Sequence, residues 1–181
     1  MSPAGPDRPH FSVFIATSID GFIARPDGGL DWLDAVQVEG EDYGFAEFFA
    51  GVDALVLGRN TYDTVLGFDR WLYGDKRCVV LTHRPPPTSR HGETFFAGEP
   101  AALAEALAGE GVRRVYVDGG LVIQRFLAAG LVDALTLSII PVILGAGIPL
   151  FARDGGAELT LELVESRSWP KGLAQLHYRR R

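Results

Sequence analysis

The chain has a single cysteine, Cys78, in 181 residues, which excludes an internal disulfide. Set in the apolar run 78–81, that thiol reads as buried and inert rather than as a nucleophile. No apolar run is long or clean enough to cross a bilayer, and the polar, proline-rich start of the chain contains no apolar signal core. The four histidines, His10, His83, His91 and His177, lack metal-ligand spacing, so no metal is expected. No G-x-S-x-G elbow occurs, which leaves hydrolase triad chemistry unsupported. The G-x-G-x-x-G fingerprint is absent too, so an ordinary dinucleotide fold is not indicated. Cationic excess is also missing: the formal net charge is −6, which argues against nucleic acid or an anionic membrane as main partner. A small anionic cofactor needs only a local basic cluster.

What is present is ordinary for a soluble globular protein, 47% hydrophobic and 22% charged. Residues 1–9 read as a flexible tail, and residues 10–181 as one domain of a reduced, cytoplasmic protein. Strand and helix patterns alternate along it. Strands are expected over 11–16, 52–57, 77–81, 112–117 and 132–144, the last interrupted or ended by Pro141. Helices are expected over 42–50, after Gly58, from Pro100 to about residue 109, and from the Gly119-Gly120 turn to Gly130. Residues 18–30 read as a long loop. Two alternating segments, 157–166 and 172–180, suggest antiparallel strands at the sheet edge. The result is an α/β fold with helices on a mainly parallel central sheet and an antiparallel C-terminal edge.

In such sheets ligands gather beyond the carboxyl ends of the strands. Gly58-Arg59-Asn60-Thr61, Thr82-His83-Arg84 and Asp118-Gly119-Gly120 each directly follow a strand. Gly58, Gly119 and Gly120 can let backbone approach a phosphate, and a strand running straight into a helix aims free N–H groups and a positive helix end at it. Thr61 can donate a hydroxyl or simply cap a helix. Arg59 and Arg84 can supply two charges for phosphate contacts, or be solvated surface residues. A diphosphate cradle with a second anionic subsite suits a nicotinamide dinucleotide carrying a 2′-phosphate.

Four segments carry a family likeness: Ser18-Ile19-Asp20-Gly21-Phe22-Ile23-Ala24, Val56-Leu57-Gly58-Arg59-Asn60-Thr61-Tyr62, Val115-Tyr116-Val117-Asp118-Gly119-Gly120, and Ile140-Pro141-Val142-Ile143-Leu144-Gly145. Occurring in this order over roughly residues 10–180, they resemble the dihydrofolate reductase-like superfamily, in its branch related to the reductase domain of riboflavin biosynthesis. The resemblance implies a three-layer fold and NADPH-dependent hydride transfer. It implies that Ala16 and Ile23 line the nicotinamide site. Arg59, Asn60, Thr61, Thr82 and Arg84 would hold the adenosine phosphates. Gly119, Gly120, Leu121 and Val122 would cover the pyrophosphate and nicotinamide ribose, and loop 18–30 would act as a mobile cover.

The substrate side is where the chain departs from both relatives. A pterin-gripping carboxylate on the helix before the second strand falls near Asp42, with Glu41 or Glu47 as substitutes, or all three form a solvated face. Four-residue spacing would put Tyr43 and Glu47 on one helical face, with Phe48 beside them, so that a planar substrate meets a ring and an acid. A buried Glu47 would have a raised pKa and donate a proton; an exposed one would not. Asp20 either faces the substrate or caps a turn. Basic pairs Lys76-Arg77 and Arg113-Arg114 lie at strand starts, away from the site, and no deaminase domain is fused. Two readings remain: an NADPH-dependent reductase of a small heterocyclic or imine-type substrate, pterin-like or riboflavin-precursor-like, and a non-catalytic nucleotide-binding module. The apolar run 135–151 suggests a homodimer, or else an interior strand with a loop folded over the core.

Overall fold

The computed structural model describes residues 8–151 and 158–181. The chain opens with β1 (His10–Ser18) and the short β2 (Phe22–Ala24), then passes through a single 3-10 segment (Asp31–Val36) to α1 (Phe45–Ala50). Next come β3 (Ala54–Gly58), α2 (Arg59–Leu66), β4 (Arg77–Leu81), β5 (Thr94–Phe96), α3 (Pro100–Gly109), β6 (Arg114–Asp118) and α4 (Gly120–Ala128). The chain finishes with β7 (Val132–Ile140), β8 (Ile148–Pro149), β9 (Leu161–Ser168) and β10 (Ala174–Arg180).

The main sheet has the order β5-β4-β3-β6-β1-β7-β10-β9. Its first six strands are parallel, and β10 runs antiparallel to both β7 and β9. Alternation along the strands builds the layers. Ala54 and Val56 face α3 and α4, packing with Leu103, Leu107, Ile123 and Phe126. Leu55 and Leu57 face the other way, onto Tyr62 and Val65 of α2 and the phenylalanines of α1. The continuous apolar runs of β3, β4 and β6 thus reflect burial on both faces.

Several expected boundaries shift. The loop over 18–30 contains β2, which pairs with β8. The strand β5 was not expected, because only Phe95 and Phe96 mark it between a polar loop and Gly98. Proline at 141 ends β7 at Ile140, and β7 lies between β1 and β10, so the apolar run 135–140 is interior and not a sheet edge. Residue 157, expected to open a C-terminal strand, lies outside the described residues. Residues 1–7 of the expected tail do as well. Arg8, by contrast, pairs with Asp133 at 2.5 Å, and Pro9 is buried, so the chain is already anchored there.

Candidate functional site

Two helices start without an intervening loop at the carboxyl edge of the sheet. β3 feeds α2 through Gly58 and β6 feeds α4 through Gly119, and neither N-terminus has a side-chain cap. Gly119 has φ +103°; a Cβ there would collide with Thr61 Oγ1 and stand 3.6 Å from the Gly58 nitrogen. A Cβ on Gly58 would lie 3.0 Å from Val122 Cγ2, and one on Gly120 would lie 2.9 Å from Ile23 Cδ1. The structure therefore brings Gly58, Thr61, Gly119, Gly120, Val122 and Ile23 together. It also gives the glycines a reason inside the chain: their missing side chains let the two helix starts and β2 close up. Val122 is buried, so only its main chain can face a ligand, whereas Leu121 is 66% exposed.

The neighbouring β4 end supplies charge. Arg84 N–H donates to Thr82 Oγ1 at 3.1 Å, which turns the chain just past the strand. The exposed Arg84 side chain makes no ion pair or hydrogen bond among the described residues. Arg59 differs. Its Nε donates to Asp63 at 2.9 Å and its Nη1 to the Arg84 carbonyl, so it fastens the Arg84 segment to α2. Asn60 is exposed beside it.

The substrate-side expectations need correction. Asp42 lies ahead of α1 rather than within it, and its carboxylate accepts the N–H groups of Gly44 and Ala46, each at 2.9 Å. Those bonds lower its pKa, which makes it an ionised helix cap. Tyr43 has φ +57° and Gly44 φ +85°, so the helix starts at Phe45. Tyr43 and Glu47 therefore do not share a helical face. The Tyr43 hydroxyl donates to the Val36 carbonyl, and its ring meets Trp169 edge-on at 5.5 Å. Phe48 packs against Phe14 and Tyr116, at 5.0 and 5.2 Å between centroids, as part of the core and not as an open shelf. Glu47 is exposed on α1 and not buried against a cleft wall.

Asp20 caps a loop, though not the turn next to it in sequence. Its carboxylate accepts the Ser18 hydroxyl at 2.6 Å and the Leu144 and Gly145 N–H groups at 3.1 and 2.7 Å, which hold its pKa at about 2. So tethered, it is an anion and no proton donor near neutral pH. Ala16 sits half-buried on β1 beside Trp32, a buried side chain whose Nε1 has no hydrogen-bond partner among the described residues.

Asp118, marked in the sequence only as part of the Asp118-Gly119-Gly120 segment, is a carboxylate at the same sheet edge with no role of its own assigned from sequence. It ends β6, immediately before Gly119, with the Tyr73 hydroxyl 3.5 Å from its Oδ2. Burial raises its pKa, against the lowering effect of its hydroxyl and Gly119 N–H neighbours, while the Tyr116 hydroxyl donates to the Phe14 carbonyl at 3.3 Å. The available signal was a carboxylate closing an otherwise apolar strand at a Gly-Gly turn.

Comparison with known proteins places the fold and the family. The sequence matches the RibD C-terminal domain family over residues 9–174. The uncharacterized protein YwjB of Bacillus subtilis (strain 168) is 35% identical over 168 residues, 92% of this chain and 95% of that protein. A crystal structure of a Shewanella sp. PV-4 protein, provisionally assigned to riboflavin biosynthesis, superposes with a TM-score of 0.88 at 36% identity, covering 95% of this chain and 99% of that one. The diaminohydroxyphosphoribosylaminopyrimidine deaminase/5-amino-6-(5-phosphoribosylamino)uracil reductase of Thermotoga maritima shares the fold, with a TM-score of 0.71 at 15% identity over 96% of this chain and 57% of that one. With the match running almost from end to end, this chain belongs to the RibD C-terminal domain family.

Proposed function

We propose that the protein is an NADPH-dependent reductase that delivers hydride to a small heterocyclic or imine-type substrate, pterin-like or resembling a riboflavin precursor. The observation that carries this reading is the meeting of two uncapped helix N-termini, at Gly58 and Gly119, beside the Arg84 side chain, which is unpaired among the described residues. Two positive helix ends and unclaimed N–H groups suit a diphosphate, and a nearby guanidinium suits one further phosphate. The residues present therefore fit the cofactor. Gly58, Thr61, Gly119 and Gly120 would hold the pyrophosphate through main chain and hydroxyl, with Leu121 and the Val122 backbone alongside. Arg84, positioned by Arg59 and Thr82 and flanked by Asn60, would meet the 2′-phosphate. Ala16 and Ile23 would border the nicotinamide.

When bound, NADPH supplies the hydride, so the chain has to orient the substrate and manage one proton. Asp118 suits the second task, because its raised pKa favours a carboxyl that still holds its proton. Among the described residues no helix is long and apolar enough to cross a membrane; a cytoplasmic location is part of the proposal. A homodimer is part of the proposal: β9 ends the main sheet, and Leu163 and Val164 on it are 50% and 52% exposed. A monomeric mass by light scattering would remove that part.

Titration with NADPH, followed by substrate-dependent loss of its absorbance over a panel of pterins and pyrimidine precursors, tests the reading. Absence of NADPH binding would overturn it. Binding with no turnover of any panel member would favour the second reading, a nucleotide-binding module that keeps the fold. One observation speaks for that alternative: Asp20 and Asp42 are both occupied as backbone caps.

A further inference from the structure

The loop that follows Arg84 contains the run Pro85-Pro86-Pro87 and crosses from the end of β4 to the start of β5. Its fixed φ angles make it stiff, so where its ends are held decides where Arg84 points. Helix α2 holds both ends. At the near end Arg59 Nη1 donates to the Arg84 carbonyl. At the far end, three residues further along the same helix, the Tyr62 hydroxyl donates to Glu93 Oε1 at 2.5 Å.

Glu93 is an unusual anchor. It is only 3% exposed, and no basic side chain pairs with it among the described residues. Its oxygens instead accept the Arg90 N–H at 2.9 Å and the His91 N–H at 2.7 Å, in addition to the tyrosine. Burial alone would raise its pKa, yet these donors prevail and hold it at about 2. A buried carboxylate without a cation persists only where hydrogen bonds replace its water, so losing one donor is costly. The tyrosine ring has separate support from Trp71 and Phe95, at 6.4 and 5.7 Å between centroids. Its hydroxyl can therefore be removed without emptying the core.

We infer that Tyr62 and Glu93 form a staple between α2 and the 83–93 loop that holds Arg84 in place for the 2′-phosphate, which makes both of them positioning residues for cofactor choice. The inference rests on the NADPH reading given above. Neither residue touches the cofactor in this account. Their influence passes through the stiff loop, whose other tether is already formed by Arg59.

The test compares dissociation constants for NADPH and NADH in the wild-type protein, Tyr62→Phe and Glu93→Gln, by titration calorimetry, together with limited trypsin digestion. In both variants NADPH should bind about five- to ten-fold more weakly, the range expected when a charge-assisted contact is misplaced, while NADH stays within about two-fold. Trypsin should cut faster after Arg90 in Tyr62→Phe, and NADPH should protect the wild-type loop more than NADH does. If the wild-type protein shows no preference for NADPH, the cofactor reading itself falls. If it shows the preference and both variants keep it in full, that reading stands and the staple is overturned. Equal losses for the two cofactors would also overturn it, because a merely structural tyrosine would weaken both alike.

Discussion

Gly119 cannot carry a side chain, because Thr61 Oγ1 occupies the place where its Cβ would stand. The two residues belong to different strand-to-helix junctions, so their contact is what draws α2 and α4 into one site. Gly119→Ala should destabilise the protein by about 1–3 kcal/mol, combining that collision with a left-handed φ. In a double-mutant cycle Thr61→Ala should recover part of the loss and leave the backbone strain. Gly120→Val should meet Ile23 in the same way, with partial rescue by Ile23→Ala. Chemical denaturation of the wild type and the six variants measures both couplings.

Arg84 and Arg59 should both matter to the 2′-phosphate, for different reasons. Arg84→Ala removes the charge and should weaken NADPH about ten-fold with NADH nearly unchanged. Arg59→Ala leaves Arg84 intact but frees its carbonyl, so a smaller loss confined to NADPH is expected. Added salt should shrink the Arg84 effect, since the side chain is exposed. Equal losses of NADPH and NADH in both variants would remove Arg84 from the phosphate site.

Most of the sheet could be read from the sequence, because β3, β4 and β6 are apolar runs ending in polar or glycine-rich turns. The junctions at Gly58 and Gly119 were legible for the same reason. The substrate side was not. Apolar periodicity places Phe45, Phe48 and Phe49 on a helix but does not say where the helix begins. Asp42 decides that by accepting the Gly44 and Ala46 N–H groups, and the positive φ of Tyr43 and Gly44 then turns the chain out of the helical path. Asp20 was equally hidden, because its partners Leu144 and Gly145 are 124 and 125 residues away. Contacts of that separation leave no local pattern in the sequence.

Asp20 should act as a pH-sensitive tie between the β1–β2 and β7–β8 connections. Its pKa is depressed to about 2 in the folded protein against 3.8 ordinarily. Its stabilising effect is therefore complete above the higher value and fades as pH falls through the lower one. Asp20→Asn should lower the Tm at neutral pH and speed proteolysis near Gly145. The difference from wild type should narrow once the pH drops below about 4. A gap that stays constant as the pH falls from about 4 toward 2 would mean that the charge of Asp20 is not what holds the loop.

Asp118 and Glu47 separate the two accounts of the proton. Burial raises the Asp118 pKa, so between its ordinary value and its folded value the native state binds more protons than the unfolded chain. Stability contributed by this group is thus present at low pH and lost as pH rises through the folded pKa. Asp118→Asn, which keeps the shape and removes the ionisation, should erase that decline. The Tm of wild type relative to the variant should accordingly fall as the pH rises above the ordinary carboxylate range. If the same carboxyl gives up the proton during reduction, Asp118→Asn should also cut kcat by about a hundred-fold or more with little change in NADPH affinity, as removal of a general acid does. Glu47 is exposed on α1, so Glu47→Gln should leave both Tm and kcat close to wild type. A large kcat loss in Glu47→Gln with none in Asp118→Asn would return the proton to the helix and leave Asp118 a structural acid beside the Tyr73 hydroxyl.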